Sequence, residues 1–484
     1  MSQEQITRQL NLEPVLNVNN IIYNQKKYTF NNNEYTIIKY KKDILKSYLD
    51  IAHDTNANTD MEAKKVLLDS YDNLSKYRSV IVRNNKVLAF SPEKSLKFDI
   101  FNKKYTNTDE CWLEDFVDGT MINVFFDNIN NTWEIATRST VGGNIVFFND
   151  IKNYSFFNSN QFEHYNNITF RSMFFESCNA CKFDLNSLNT KYCYSFVMQH
   201  PFNRIVTPVH APVIYLVKVY EIDNTNFPIV NIKEKNIPEL INESPYIFVN
   251  TSVQFINKYP LESSLQELYT HYNNKLAPFH CLGSIIYNKD GTRTKIRNVN
   301  YEEVRKLRGN QPKLQFNYLS LKKENKINEF LHYYPEHVLL FNKFKLLMFE
   351  YTNELFINYI NCFIKKQMHL KEYPFQYKNH MYHIHQKYIN DLKPNNKVVD
   401  KKVVIDYVNT LHEAQQMFVI NYKYNSTNEN TNENTNENTN ENTNENTNEN
   451  TNENTNENTN ENTNENTNEN TNENTNENTM ETDE

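Results

Sequence analysis

The chain has 484 residues, a net charge of −8 and six cysteines, and its 31 Phe and 32 Tyr can fill more than one hydrophobic core. Six cysteines are too few for a disulfide scaffold in a chain of this size, and no run approaches the roughly 18 uncharged apolar residues of a membrane helix. The start, Met-Ser-Gln-Glu-Gln-Ile, lacks the apolar segment of a secretory signal. We therefore expect an intracellular, cytoplasmic protein without a membrane partner.

The first 300 residues favour an antiparallel β architecture. Residues 1–35 are polar and are predicted to form an irregular N-terminal extension. Residues 36–300 alternate turn clusters with short β-type runs at 78–82, 121–126, 133–137, 213–219 and 284–287. The long regular helices that a parallel, doubly wound sheet needs are not apparent between these runs. The pattern predicts an α+β domain over residues 36–300.

Residues 301–424 change period and predict a helical C-terminal domain. Their apolar residues recur at roughly helical spacing, as in Phe341, Phe344, Leu347, Met348, Tyr351, Leu355 and Ile360. A mixture of Tyr, Phe, Lys and His in such helices can stack on exposed nucleic-acid bases. An ordinary amphipathic bundle with its lysines in water explains the same composition.

The end of the chain determines the sign of the net charge. From Thr427 the tetrad Thr-Asn-Glu-Asn is repeated thirteen times and is followed by Thr-Met-Glu-Thr-Asp-Glu, so the tail carries 16 acids and no Lys or Arg. With no apolar residue before Met480, residues 425–484 are predicted to be disordered. Residues 1–426 hold 51 bases against 43 acids, a charge of +8. Such a body attracts polyanions, although lysine-rich solubility explains the same excess.

One predicted strand carries three cations on a single face. Asp290-Gly291 predicts a two-residue hairpin turn, and Arg293, Lys295 and Arg297 follow it at alternate positions. A triphosphate or a nucleic-acid backbone would neutralise such a face. The solvent face of an edge strand, where Lys and Arg discourage aggregation, is the alternative.

Two clusters have the composition of partial metal sites. The first is Cys178, Cys181 and Cys193, and the second is His380, His383 and His385. A four-ligand zinc site needs a second well-spaced pair, which the cysteine cluster does not show, and a Tyr/His-rich surface helix accounts for the histidines. We therefore predict no metal at either place.

Short motifs in a fixed order between about residues 78 and 297 resemble the covalent nucleotidyltransferase superfamily, most closely its bacteriophage-type RNA ligase 1 branch. The segments "YRSVIV" and "VLAFSPEKSLKF" look like its Arg-Gly strand and Lys-Phe-Phe segment, and "FVDGTMI" like its Lys-x-Asp-Gly motif. "ATRSTVGG", "YSFVMQHPFNRIV", "LGSII" and "KIR" are similar to the later motifs in the same order. The resemblance implies an antiparallel-sheet nucleotidyltransferase core with an ATP-grasp-like ligase fold, ATP and Mg²⁺ as cofactors, and RNA or another nucleic acid as partner. The nucleotide- or phosphate-binding residues that it implies are Arg78, Lys94, Asp118, Gly119, Arg138, Arg204, Arg293, Lys295 and Arg297.

The departures from this family fall on its catalytic groups. In such enzymes an unprotonated lysine amine attacks the α-phosphate of ATP, and here Phe116, which has no lone pair, stands in its place. No lysine occurs between Lys104 and Lys152. The two glutamates of the family correspond to Ser195 and Leu282.

The sequence thus predicts a catalytically inactive, RNA ligase-like protein that binds RNA or nucleotide. An active, diverged ligase with Lys94 or Lys97 as nucleophile is one alternative, and a structural or packaging protein on a relic ligase fold is the other. The excess of Asn, Lys, Ile and Tyr over Gly, Ala and Pro is typical of an AT-rich genome, such as that of a parasite or a large DNA virus. A viral origin would favour association with the virion.

Overall fold

The computed structural model describes residues 6–16, 22–53, 61–148 and 168–428, with side chains not described at 51–53, 61, 63 and 423–428. The chain divides into two compact units, the first comprising Met1–Val146 and Asn167–Arg305 and the second Phe147–Asn166 and Lys306–Glu484. We predicted residues 425–484 to be disordered, but the first four of them continue a helix that ends at Asn428, because the helix extends past the last apolar residues into the start of the repeat. The rest of the repeat tail lies outside the described residues, from position 429 onward. The described part combines helices with largely antiparallel sheets, as predicted.

The first unit contains all the strands of the described residues and seven helices, the last of which crosses its boundary. Its strands are β1 Thr7–Asn11, β2 Tyr23–Phe30, β3 Asn33–Tyr40, β4 Val80–Arg83, β5 Lys86–Phe90, β6 Cys111–Asp115, β7 Thr120–Asp127, β8 Thr132–Ala136, β9 Tyr192–Gln199, β10 Val213–Asp223, β11 Ile229–Lys235, β12 Gln254–Phe255, β13 Lys258–Pro260, β14 Gly283–Asn288 and β15 Arg293–Arg297. Its helices are α1 Lys42–His53, α2 Met61–Ser75, α3 Phe98–Lys104, α4 Phe170–Ala180, α5 Ile237–Glu243, α6 Leu265–Asn273 and the larger part of α7 Val299–Arg308.

Three sheets make up the first unit. The largest has the order β1-β11-β10-β9-β7-β8, all antiparallel, with the short β12 added parallel to β10. The second has the order β13-β6-β14-β15, and the third β2-β3-β4-β5. The five β-type runs that the sequence indicated fall in β4, β7, β8, β10 and β14, so the alternation of apolar residues located them correctly.

Two hydrophobic cores hold these layers together. One joins the β2-β3-β4-β5 sheet to the largest sheet and includes Ile37, Val80, Phe90, Phe125 and Tyr220. The other packs α1, α2, α3 and α6 on the second sheet and includes Leu45, Leu74, Phe101, Ile286 and Ile296. Burying each such side chain contributes about 1.5–3 kcal/mol, so both cores stabilise the unit substantially.

The structure differs from the sequence prediction at the N-terminus. The described parts of residues 1–35, which are 6–16 and 22–35, do not form an irregular extension, because β1 pairs along its whole length with β11 and β2 pairs with β3. The inward positions of β1 are Arg8 and Leu10, so a buried cation replaces one of the apolar residues that would have revealed the strand. Helices α1 and α2, within the range predicted to be mainly β, were also not anticipated.

The hairpin between β14 and β15 lies at Asp290-Gly291, but its loop is longer than predicted. The amide of Asn288 donates to the carbonyl of Thr292, and the amide of Gly291 donates to the carbonyl of Asn288. The loop therefore has three residues, with Gly291 in the left-handed conformation (φ +86°) that closes a turn of this length.

The described part of the second unit from residue 306 to residue 428 is mainly helical. Its helices are the end of α7, α8 Leu314–Lys323, α9 Ile327–Tyr333, α10 Val338–Tyr359, α11 Phe375–Lys387, α12 Lys401–Thr410 and α13 Glu413–Asn428. In its core Phe330 stacks on Phe341, and the Tyr318 ring meets Phe341 edge-on and Phe344 at a tilt. Tyr351 stacks on Tyr377. Among the described residues, no helix combines the length and the apolar character needed to cross a membrane.

Candidate functional site

The Asp118 carboxylate, just before β7, links its own segment by hydrogen bonds to residues 206–207 and to α7. Its Oδ2 accepts hydrogen bonds from the amides of Val206 (3.1 Å) and Thr207 (2.9 Å), and its Oδ1 accepts one from the Tyr301 hydroxyl (2.8 Å). Asp118 is buried, and burial together with this carboxylate raises the pKa of Tyr301 well above its ordinary value. Because the carboxylate is committed to these donors, its contacts are structural.

Gly119 lies where β7 begins and passes very close to β9. Its φ is +153°, and a Cβ at this position would lie 2.5 Å from the carbonyl oxygen of Met198 and 2.8 Å from Cγ1 of Val197. No side chain fits this approach, so glycine is required by packing alone. The Asp118-Gly119 pair is therefore explained without a ligand.

The structure brings Phe116 and Arg297 close together. The Arg297 guanidinium lies 5.9 Å from the centre of the Phe116 ring, and its Nη1 donates to Glu302 Oε1 at 2.9 Å. The other oxygen of Glu302 accepts from Arg305 Nε at 2.8 Å. A buried carboxylate thus holds two arginines, and one of them lies beside an aromatic ring.

Three other arginines that the sequence predicted to bind phosphate donate hydrogen bonds to backbone carbonyls. Arg293, which is buried, donates from Nε to the Glu93 carbonyl (3.2 Å) and from Nη1 to the Tyr287 hydroxyl (3.2 Å). Arg138 donates to the Arg78 carbonyl and lies over the Tyr40 ring.

Arg204 donates from Nε and Nη2 to the Val206 carbonyl, at 3.1 and 3.0 Å. Lys295 is half-buried on β15 and pairs in register with Ile285. The predicted alternation of Arg293, Lys295 and Arg297 on one strand is present, but the contacts of both arginines are with protein groups.

The two positions aligned with the family's glutamates are buried. Ser195 Oγ donates to Asn123 Oδ1 (2.8 Å), and Asn123 Nδ2 donates to Ser91 Oγ (2.6 Å). This chain of hydrogen bonds links β9, β7 and the residue after β5, while Leu282 packs without a polar group. Magnesium prefers carboxylate oxygens, so the residues present at these positions do not fit Mg²⁺.

The cysteine and histidine clusters have other contacts. Cys178, Cys181 and Cys193 are buried, and burial raises the pKa of Cys193 to about 12. His380 Nδ1 lies 2.9 Å from the Tyr407 hydroxyl, and His385 stacks on Phe363. Within the described residues, no three His, Cys, Asp or Glu side chains are grouped so that they could hold a metal ion.

A buried charge network that the motifs did not reveal lies between the largest sheet and the β13-β6-β14-β15 sheet. Lys218 Nζ on β10 is 2.9 Å from Glu234 and 3.3 Å from Glu114, and lies 4.2 Å from the centre of the Tyr287 ring. Arg8 Nη1 is 3.0 Å from Glu234. Burial alone would raise the pKa of Glu234, but Lys218 and Arg8 outweigh it and lower the pKa to about 2. A lysine inside the apolar run "VIYLVKVY" is the sequence signal for this network.

A charged cleft of about 270 Å³ opens between β1, the end of α2, the segment before α3 and the β14–β15 hairpin. It is lined by five cations, Arg8, Lys76, Lys94, Lys104 and Arg293, and by three acids, Asp72, Glu93 and Asp290. Lys94 and Arg293 were predicted as phosphate ligands. The other three cations were missed, because β1, α2 and α3 contain no recognisable motif.

No protein-family model matches the chain, and no curated protein does. Among solved structures the chain is similar to an RNA ligase of Naegleria gruberi in its apo form, with 9% identity and a TM-score of 0.28 over 46% of this chain and 58% of that one. A variant of the same ligase with ATP and Mn matches with 9% identity and a TM-score of 0.28, over 58% of this chain and 76% of that one. An archaeal ATP-dependent RNA ligase matches with 12% identity and a TM-score of 0.30, over 61% of this chain and 62% of that one.

The chain thus spans less than two thirds of the apo Naegleria ligase and of the archaeal ligase. Because the identities and TM-scores are this low, the function proposed below rests on the contacts of this chain's own residues.

Proposed function

We propose that this chain is an RNA ligase-like protein that forms no covalent nucleotide adduct and binds RNA or nucleotide through phosphate contacts. The observation that carries the proposal is the set of contacts around Phe116 and Asp118. Phe116 takes the place of the nucleophile, and the centre of its ring lies 5.9 Å from the Arg297 guanidinium. Arg297 in turn donates a hydrogen bond to Glu302.

The chemistry of adenylyl transfer explains why these contacts matter. Attack on an α-phosphate needs an amine with a free lone pair, and the Phe116 ring offers none. No lysine lies within the sequence from 105 to 151, and Asp118 accepts hydrogen bonds from three protein donors. ATP and Mg²⁺ belong to the activity that the resemblance implies. In this chain the glutamate that would handle the metal is replaced by Leu282, and the glutamate beside the ribose is replaced by Ser195.

Binding is supported by charge. The chain before the repeat tail carries a charge of +8, and the cleft adjoining β1 and the β14–β15 hairpin gathers five cations against three acids. A surface of this sign attracts RNA and nucleotides, and such binding weakens as salt rises because phosphate contacts release counterions. Three phosphate contacts to a single strand would weaken binding about 20-fold between roughly 50 and 200 mM salt.

The test uses the full chain. The protein is incubated with α-labelled ATP or GTP and magnesium and run on a denaturing gel, and binding of a single-stranded RNA is measured over a range of salt. We expect no labelled band and a salt-sensitive RNA complex. Phe116→Lys should also give no band, because Ser195 and Leu282 do not restore the lost carboxylates.

A labelled band from the unaltered chain would overturn the proposal and favour an active, diverged ligase. Lys94→Ala and Lys97→Ala would then locate the nucleophile. Absence of RNA and nucleotide binding at low salt, together with a protein complex that survives high salt and nuclease, would favour the structural or packaging function instead.

A further inference from the structure

The geometry of one cleft points to a phosphate-binding site that is separate from the contacts around Asp118. The cations that line this cleft are Arg8, Lys76, Lys94, Lys104 and Arg293. We propose that it binds the terminal phosphate chain of a nucleotide or of an RNA end, which rests on the proposed function and assigns its phosphate site. The ligand contacts then fall on Lys76, Lys94 and Lys104, whereas Arg8 holds the wall of the cleft through Glu93 and Glu234. Asp118, Arg138, Arg204 and Arg297 hold the fold.

The acids of the cleft are engaged with neighbouring groups. Glu93 pairs with Arg8, Asp72 lies 3.4 Å from Lys104, and Asp290 accepts a hydrogen bond from the Tyr105 hydroxyl at 2.5 Å. These contacts leave the cleft with two more positive than negative side chains. Positive charge gathered in a concave site favours an anionic ligand over a cation or a neutral molecule.

Lys76 is a partly buried cation of the cleft that has a neutral hydrogen-bond partner. Its Nζ lies 3.0 Å from Asn73 Oδ1, a neutral partner. Burial lowers the pKa of Lys76, Asp72 opposes this effect and Arg8 adds to it. A phosphate beside Lys76 would give this ammonium group a charge-assisted hydrogen bond in place of its neutral one and would offset the effect of burial.

The walls of the cleft are fixed before any ligand arrives. Arg8 is held by Glu93 and Glu234, and the Lys94 amide donates to the Ser75 carbonyl at 3.1 Å. The Leu96 amide donates to the Arg293 carbonyl at 2.8 Å, which ties the segment before α3 to β15. Because these backbones are already ordered, little further entropy is lost when a ligand binds.

Gly291 keeps the hairpin close to the cleft. A Cβ at this residue would lie 3.0 Å from Arg8 Nη2 and 2.8 Å from Ile6 Cγ2, so a larger residue would push against the arginine. The cleft itself encloses about 270 Å³. A space of this size admits a chain of a few phosphates but not a nucleic-acid helix, which favours a terminal phosphate over the continuous backbone.

The test compares two double variants that each remove two positive charges from the first unit. Lys76→Gln/Lys94→Gln alters the cleft, and Lys27→Gln/Lys275→Gln is the matched control, since those side chains are 77% and 61% exposed and pair with surface glutamates. The probes are inorganic tripolyphosphate, ATP, and one RNA oligonucleotide made with either a 5′-triphosphate or a 5′-hydroxyl. Urea unfolding curves confirm that both variants are folded.

We expect the cleft variant to bind tripolyphosphate about 100-fold more weakly, since removing each charge-assisted hydrogen bond weakens binding about tenfold. The control should bind within about twofold of the unaltered chain. The salt dependence of RNA binding should fall by about 1.4 in slope in the cleft variant, for two contacts to a single strand. Lys76→Arg/Lys94→Arg should restore most of the affinity. Preference for ATP would identify a nucleotide as the source of the phosphate, and preference for the 5′-triphosphate RNA would identify an RNA end.

The proposal would be overturned by equal losses of affinity in the cleft variant and the control, or by equal binding of the two RNA ends together with no binding of tripolyphosphate or ATP. In either case salt-sensitive RNA binding would leave the proposed function standing. If the unaltered chain bound none of the four probes at low salt, both proposals would fail.

Discussion

Replacing Lys218 by Met removes a buried cation from between two carboxylates while nearly keeping the side-chain length. Lys218 is 5% exposed, and its Nζ lies 2.9 Å from Glu234 and 3.3 Å from Glu114. Removing one partner of a buried ion pair leaves an uncompensated charge and costs about 3–5 kcal/mol. We expect the free energy of unfolding of the first unit to fall by this amount at pH 7.

Urea unfolding followed by tryptophan fluorescence measures this change selectively. The chain has two Trp, at 112 and 133, and both lie in the first unit. Lys258→Met is the matched control, because Lys258 lies 3.8 Å from Glu114 but is 44% exposed. A pair open to water contributes no more than about 1 kcal/mol. A decrease for Lys218→Met no larger than that of the control would refute the assignment of a buried network.

The effect should also depend on pH. The folded-state pKa of Glu234 is about 2 against an ordinary 4.5, so its stabilising contribution is fully present above the unfolded pKa and is lost as the pH falls through 2. Without Lys218, less positive charge opposes the increase that burial causes in the pKa of Glu234, so this carboxylate takes up a proton at higher pH. The deficit of Lys218→Met relative to the unaltered chain should therefore shrink below pH 4.5. A deficit that stays constant down to about pH 3 would contradict this explanation.

Two further predictions use the same unfolding assay. Gly119→Ala should lower the free energy of unfolding of the first unit by about 2–4 kcal/mol, because the alanine Cβ would lie 2.5 Å from the Met198 carbonyl oxygen. An unchanged midpoint of urea unfolding would show that β7 and β9 separate easily. Tyr301→Phe should cost about 1–3 kcal/mol by leaving Asp118 Oδ1 without its donor. Tyr246→Phe, at a side chain that is 70% exposed, should cost nothing measurable, and equal effects of the two Tyr→Phe changes would count against a structural role for Asp118.

Local patterns predicted the elements whose signals lie in consecutive residues. Alternating apolar residues located β4, β7, β8, β10 and β14, and the Asp290-Gly291 pair located the hairpin. Helix α1 was not predicted although Ile44, Leu45, Tyr48 and Leu49 have helical spacing. This segment is short and follows directly on a β-type run, so its helical period is hard to distinguish from its surroundings. Strand β1 was missed because its inward residue Arg8 is charged, and the carboxylate that accounts for a buried arginine, Glu234, lies 226 residues away.

The sequence by itself determined the charge of the body, the composition of the repeat tail and the absence of a lysine around Phe116, since these are properties of the order of residues alone. The 5.9 Å approach of the Arg297 guanidinium to the Phe116 ring became apparent only from the fold. Only the tertiary structure decided which cations line a cleft and which are committed to protein partners. Whether a charge can meet a ligand depends on burial and on contacts through space, and the periodicity of a chain encodes neither.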